Sequence, residues 1–160
     1  MKTHTDTRSA VDQSPVWLAL RRTDYPAVLI ADADSGARSV YDNLDGNCDV
    51  FTARDIEDMM RKAADIWPHV IVIDAPSGDS DGLRAIGRLR ESSWTSVIPV
   101  IVVSDDASVR DAAFASGCDA FLEKPLGSPV LRAQIRALIE PPETRSPRPH
   151  SRMVPARPAA

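Results

Sequence analysis

The chain has 160 residues, 43% of them apolar and 26% charged, which suits one globular domain with tails. Its net charge of −4 argues against a nucleic-acid-binding protein, and no apolar run approaches the ~20 residues that span a bilayer. The polar residues 1–14 lack the apolar stretch of a signal peptide, and Cys48 and Cys118 form no CxxC pair. We therefore expect a cytoplasmic protein with two reduced thiols, no membrane association and no nucleic-acid partner.

The two ends of the chain differ in composition from its middle. Residues 1–26 form an extension that we expect to be partly disordered, with a short apolar patch between residues 15 and 26. Residues 141–160 hold six of the 13 prolines and four arginines against one acid. Such a segment has little with which to form a core, so residues 140–160 are predicted to be a disordered, solvated tail. The folded domain is then predicted to span residues 27–139.

Apolar strands alternate with amphipathic helices throughout this domain. The predicted strands are residues 28–31, 50–51, 70–73, 100–103 and 120–122. The predicted helices are residues 35–44, 56–67, 83–90, 107–116 and 128–139. Continuous β-branched runs such as 70–73 are typical of strands covered on both faces. The (βα)5 alternation predicts an α/β fold with a doubly wound parallel sheet and right-handed crossovers.

Four polar residues stand at or just after the ends of predicted strands: Asp32, Asp74, Ser104 and Lys124. A lone aspartate at a strand end is usually a helix cap or a solvated loop residue. In an open parallel sheet, however, all the carboxyl ends lie on one edge, where ligand sites form. We therefore expect the four side chains to converge there.

The segments around these residues resemble the receiver domain of response regulators (the CheY-like family). VLIADADSGAR is similar to the first strand of the family, and VIVIDAPSGDSDGLRAI to the segment around the phosphorylated aspartate. Within it, Asp81 and Gly82 match the family's Asp-Gly pair. PVIVVSDDA is similar to the fourth strand, and GCDAFLEKP to the fifth strand with its Lys-Pro. The resemblance implies a flavodoxin-like sheet of order 2-1-3-4-5.

The resemblance also implies a role for each residue at the strand ends. Asp74 would accept a phosphoryl group, and Lys124 and Ser104 would contact that group. Phe121 would be the aromatic residue that changes rotamer when the domain switches. A Mg²⁺ ion would be bound by carboxylates and one backbone carbonyl, here those of Asp32, Asp74 and Pro76.

Two residues depart from the family pattern, and both act against phosphorylation. Ala33 stands where the family has the second acid of a pair, so a direct metal ligand is missing and Mg²⁺ binding should be weak. Asp34 is a substitute only if the loop shifts, because in the family the next position does not face the site. Asp105 follows Ser104, where the family has a small residue, and its charge would add repulsion of about 1 kcal/mol.

Three functions are compatible with these features to different degrees. The first is a single-domain receiver in two-component phosphorelay signalling, which takes phosphate from a histidine kinase or phosphotransfer protein. The second is a pseudo-receiver that binds partners without phosphorylation. A small α/β enzyme is disfavoured because the sequence has no GxGxxG, GxxxxGK[ST] or GxSxG motif. We expect contacts with a downstream protein or a second copy through residues 107–116, 120–122 and 128–139.

Overall fold

The predicted strands form one parallel sheet in a computed structural model of the chain, which describes residues 25–32, 41, 44, 48–77 and 80–140. The strands are β1 (Ala27–Asp32), β2 (Asp49–Ala53), β3 (Val70–Asp74), β4 (Val100–Ser104) and β5 (Ala120–Glu123). Their order across the sheet is β2-β1-β3-β4-β5, which confirms the predicted topology. The strands extend slightly beyond their predicted ends, because polar terminal residues such as Asp32 and Asp74 still pair in register.

Alternate residues of the central strands point to opposite faces of the sheet and fill two separate cores. In β3, Val70 and Val72 join one core, whereas Ile71 and Ile73 join the other. All four side chains are almost completely buried. A strand covered on both faces is apolar at every position, and this is why the run could be recognised in the sequence.

Helices cover both faces of the sheet. They are α1 (Ile56–Ile66), α2 (Asp81–Glu91), α3 (Arg110–Ser116) and α4 (Ser128–Ile139). Helices α1, α2 and α3 contribute to the core that contains Leu29, whereas α4 packs with Tyr41 and Leu44 on the opposite face. This two-sided arrangement follows from parallel strands joined by helical crossovers.

The segment predicted as one helix at residues 107–116 is divided in the structure. A 3-10 turn occupies Ala107–Val109, and regular α-helix follows only as α3. The Asp106 carboxylate accepts hydrogen bonds from the backbone N–H of Ser108 at 2.9 Å and from its hydroxyl at 2.6 Å. These local bonds favour the tighter first turn.

Most of the predicted extension, of the predicted tail and of the predicted helix at residues 35–44 lies outside the described residues, although Tyr41 has helical backbone. Cys48 and Cys118 are free and buried. Burial raises the pKa of both thiols, that of Cys118 to about 11, which makes them poor nucleophiles at neutral pH. No helix in the described part of the chain has both the length and the apolar character needed to cross a bilayer.

Arg90, near the end of α2, holds the amino-terminal ends of β4 and β5 together. Its guanidinium donates to the carbonyl oxygens of Ser96, Ile98 and Gly117 at 2.8–2.9 Å. It also contacts the Asp119 carboxylate at 2.9 Å. The planar fork of arginine suits such a set of acceptors, which a lysine ammonium could not satisfy together.

We predict that Arg90→Ala lowers the free energy of unfolding by about 2–3 kcal/mol, because partly buried acceptors lose a charged donor. Urea denaturation followed by circular dichroism measures this loss. Arg84→Ala is the matched control, since Arg84 lies on the same helix, is 70% exposed and pairs with the exposed Asp81. We expect the control to change stability by less than about 0.5 kcal/mol. Equal losses in the two variants would contradict the role given to Arg90.

Candidate functional site: a paired aspartate at the carboxyl edge of the sheet

Asp32, Asp74, Ser104 and Lys124 meet at the carboxyl edge of the sheet. Asp32 lies beside Asp74 in the register of β1 and β3, and Ser104 ends β4 on the other side of β3. Lys124 follows β5 directly, and its backbone N–H donates to the Ser104 carbonyl at 2.8 Å. The structure thus brings to one edge the four residues that the sequence pattern placed at strand ends.

Asp74 is a buried carboxylate in contact with a cation. Its side chain is 3% exposed, and Lys124 Nζ lies 2.8 Å from Oδ1 and 2.9 Å from Oδ2. A carboxylate removed from water is destabilising unless it is paired and hydrogen-bonded, so this contact offsets the lost hydration. The Lys124 side chain is 30% exposed, and solvent therefore reaches the site from the lysine side.

Tyr41 is a further partner of Asp74, which the sequence analysis did not identify. Its hydroxyl donates a buried hydrogen bond of 2.9 Å to Asp74 Oδ2. Burial and then the charge of Asp74 raise the pKa of Tyr41 well above its ordinary value, so the hydroxyl remains a donor at neutral pH. One signal was available: Tyr41 precedes Leu44 by three residues, on the inward face of the predicted helix, where a buried hydroxyl needs a partner.

Ser104 is completely buried beside the aspartate. Its hydroxyl oxygen accepts a hydrogen bond from the backbone N–H of Asp106 at 3.1 Å. The hydroxyl hydrogen is not used in that bond and can be donated to another oxygen. Ser104 is therefore suited to contact an oxyanion attached to Asp74.

Phe121 is partly buried on β5 and packs against the core that contains α3. The Arg110 guanidinium lies 5.3 Å from the centre of the Phe121 ring, a cation–π distance. Arg110 also approaches Glu123 at 3.8 Å. Phe121 lacks a hydroxyl, so a change of its rotamer could alter only its packing and its contact with Arg110.

Asp105 is directed to a neighbouring loop. Its Oδ1 accepts hydrogen bonds from the backbone N–H of Ser77 at 2.9 Å and from the Ser77 hydroxyl at 3.0 Å. The bond from the Ser77 hydroxyl holds the pKa of Asp105 below its ordinary value, and Lys124 adds a smaller effect in the same direction. Asp105 thus keeps its negative charge near the site while joining the loop after β4 to the loop after β3.

Gly82 has a packing function next to the aspartate. A Cβ atom at this position would lie 2.8 Å from the Cβ of Ala75, the residue that follows Asp74. Real Cβ atoms do not approach so closely, and only glycine lets the first turn of α2 lie against the end of β3. The Asp-Gly pair recognised in the sequence therefore has a steric reason at its second position.

The oxygen donors near Asp74 match magnesium in chemical type but are few. Asp32 and Asp74 supply carboxylates, and the backbone carbonyl of Pro76 is a further oxygen donor. Within residues 25–32, 41, 44, 48–77 and 80–140, no group of three or more acidic, histidine or cysteine side chains is arranged to hold a metal ion. Ala33 and Asp34 lie outside the described residues, so the predicted loss of a ligand at residue 33 remains a prediction.

Comparison with known protein families identifies the domain. The family model described as the response regulator receiver domain matches residues 28–136. The KDP operon transcriptional regulatory protein KdpE of Escherichia coli (strain K12) is 33% identical over 115 residues, which cover 70% of this chain and 50% of KdpE. Protein PilG of Pseudomonas aeruginosa is 29% identical over 121 residues, which cover 73% of this chain and 90% of PilG. The chain thus spans about half the length of KdpE but most of PilG.

Solved structures have the same fold. The chemotaxis response regulator CheY4 of Vibrio cholerae superposes with a TM-score of 0.63 at 23% identity, covering 71% of this chain and 98% of CheY4. The receiver domain of the Francisella response regulator 1452 gives a TM-score of 0.62 at 27% identity, and the match covers 71% of this chain and 96% of that domain. Receiver domains are signalling modules, generally not enzymes, and they interact with histidine kinases and downstream effectors. The family model matches more than half of this chain, and the chain therefore belongs to the response regulator receiver domain family.

Proposed function

We propose that this chain is a receiver in which Asp74 accepts a phosphoryl group slowly and which acts mainly through protein–protein contacts. The receiver domain would occupy residues 27–139. The observation that carries the proposal is the contact of Lys124 Nζ with both oxygens of the buried Asp74 carboxylate. An aspartate can attack a phosphoryl group only where nearby cations neutralise the crowded negative charge, and Lys124 is such a cation.

Asp74 is the proposed phosphoacceptor, with Ser104 and Lys124 as the groups that contact the phosphoryl oxygens. Magnesium, when bound by Asp32, Asp74 and the Pro76 carbonyl, would neutralise negative charge on the attacking and transferred oxygens. Phe121 is the proposed switch residue, because it lies on β5, the strand that leads directly to Lys124, and packs against the core that contains α3. A histidine kinase or phosphotransfer protein would supply the phosphoryl group, in the cytoplasm.

Slow phosphorylation follows from the charges at the site. Asp32 and Asp74 together carry two negative charges, and Lys124 offsets one of them, which leaves a modest attraction for a divalent cation. Ala33 adds no carboxylate, and Asp105 adds a negative charge near the incoming phosphate. Each defect is expected to reduce the rate by one or two orders of magnitude, or roughly 1.4–2.7 kcal/mol.

We predict that acetyl phosphate modifies the purified chain slowly and at one residue. Intact-protein mass spectrometry would follow the gain of one phosphoryl group with and without Mg²⁺. Removal of the group by hydroxylamine would identify an acyl phosphate. The isosteric Asp74→Asn variant should gain none. A modification that persists in Asp74→Asn, or a rate that does not respond to Mg²⁺, would contradict the proposed site.

We further predict that Ala33→Asp raises the affinity for Mg²⁺ by at least about tenfold, because it restores an oxygen ligand. Calorimetry is the suitable measurement. Tryptophan fluorescence is less suitable, because Trp67 and Trp94 precede β3 and β4 at the edge opposite the site. Asp34→Asn is the companion variant. An unchanged affinity in Ala33→Asp together with a loss in Asp34→Asn would mean that Asp34 already supplies the ligand.

The proposed partner surface comprises residues 107–116, 120–122 and 128–139, and it would bind a downstream protein or a second copy. Two large apolar side chains are exposed on this surface: Phe114 on α3 is 47% exposed, and Val130 on α4 is 54% exposed. Arg136 on α4 is exposed and lies 3.6 Å from Glu140. Arg132 is only partly exposed, so Arg136 and Val130 are the better probes of this surface.

We predict that partner binding survives Asp74→Asn but is lost in the double variant Val130→Asp/Arg136→Glu. In-cell cross-linking and quantification of the complexes formed by each variant would measure this. Val97→Asp is the matched control, because Val97 is 71% exposed and lies outside the proposed surface. If Asp74→Asn removed the complexes while circular dichroism showed an intact fold, binding would depend on phosphorylation and the weak-phosphorylation proposal would be wrong.

The alternative is a pseudo-receiver that binds partners through the same surface without phosphorylation. It is supported by Ala33 in the sequence and by the Tyr41 hydroxyl, which already occupies Oδ2 of the Asp74 carboxylate. Absence of any acyl phosphate under the conditions above, with partner binding intact, would favour this alternative.

A further inference from the structure

The hydrogen bonds to Asp74 are unevenly shared between its two oxygens. Oδ2 accepts hydrogen bonds from the Tyr41 hydroxyl at 2.9 Å and from Lys124 Nζ at 2.9 Å, whereas Oδ1 accepts one from Lys124 alone at 2.8 Å. Each carboxylate oxygen has two lone-pair positions. Both positions on Oδ2 are therefore in use, and one on Oδ1 is not used by these contacts.

A phosphorylated receiver needs more than one free position on this carboxylate. One lone pair attacks phosphorus, and another binds the metal ion. The single position left on Oδ1 cannot serve both, so one existing donor must leave. Lys124 can pass its hydrogen bonds to phosphoryl oxygens only when the phosphoryl group arrives, and until then its charge is needed on Asp74. The Tyr41 hydroxyl is neutral, and its departure removes no favourable charge.

We propose that Tyr41 is a latch on Asp74: its hydroxyl occupies Oδ2 in the resting domain and must leave before metal and phosphoryl group can bind together. This inference rests on the proposed function of Asp74 as phosphoacceptor and adds an occluded resting state to it. Tyr41 touches the reacting carboxylate but is released before the reaction, so it sets how readily the site becomes available.

The position of Tyr41 in the core makes a tight latch. The residue is 7% exposed and belongs to the same buried cluster as Val28, Val72 and Leu131. Packing holds the ring in place, so the hydroxyl is directed at Asp74 with little loss of side-chain conformational entropy. A buried tyrosine hydroxyl needs a partner in any case. A purely structural bond is therefore the competing explanation, and the experiment must separate the two.

Tyr41→Phe keeps the ring and removes only the donor. We expect it to raise Mg²⁺ affinity by about tenfold in calorimetry, since a hydrogen bond to a charged group is worth about one order of magnitude. Phosphorylation by acetyl phosphate should accelerate by a similar factor. Tyr25→Phe is the matched control, because Tyr25 is the chain's other tyrosine, is 48% exposed and precedes β1 at the opposite edge. It should change neither quantity.

A double-mutant cycle tests the bond itself. Urea unfolding of Tyr41→Phe is compared in the wild-type and Asp74→Asn backgrounds, and we expect a smaller loss of stability in the second. A latch and a structural bond both give this coupling, but only the latch alters metal binding and phosphorylation.

The outcomes separate the latch from the proposed function. If wild type is phosphorylated and Tyr41→Phe leaves Mg²⁺ affinity and rate unchanged or lower, the latch is wrong and the function stands. If neither protein is phosphorylated but Tyr41→Phe binds Mg²⁺ more tightly, the occlusion stands and the phosphoacceptor assignment fails. If neither protein is phosphorylated and the affinity is unchanged, both are wrong.

Discussion

The pairing of the buried Asp74 carboxylate with the Lys124 ammonium constrains the carboxyl edge of the whole sheet. Asp74 ends β3 and Lys124 follows β5, and these strands are not neighbours. Their distance is set by β4, which pairs with both strands in parallel register. At the opposite edge, Arg90 fixes the segments that lead into β4 and β5. The 2.8–2.9 Å contacts of this ion pair therefore depend on order at both the amino and the carboxyl ends of the strands.

The same ion pair determines what the site can do. One lysine neutralises one of two neighbouring carboxylates, and the single negative charge that remains is the basis of the weak magnesium binding proposed above. Ser104 contributes a hydroxyl without charge, and Asp105 is bonded to Ser77 while retaining its own charge. With Tyr41 and Lys124 both donating to Oδ2, that oxygen of Asp74 has its two lone-pair positions in use. The proposed signalling function requires that some of these internal contacts are exchanged for a ligand.

Tyr41 also connects the site to one face of the sheet. It packs in the core that includes Leu131 and Ile135 of α4, whereas Phe121 packs in the core on the other face. Through its hydrogen bond to Asp74, Tyr41 therefore links the site to the core that α4 covers. Helices α3 and α4 both belong to the proposed partner surface.

The sequence by itself determined the parallel sheet and the meeting of Asp32, Asp74, Ser104 and Lys124, and its resemblance to the receiver family gave the order of the strands. Periodicity and strand ends are local features, and parallel strands bring their carboxyl ends to one edge. The partners of individual side chains required the tertiary structure. Tyr41 bonds a residue 33 positions away, and Asp105 bonds one 28 positions away. Such pairs depend on how a helix or loop is placed against the sheet, and hydrophobic periodicity shows which residues face inward but not which atoms they meet.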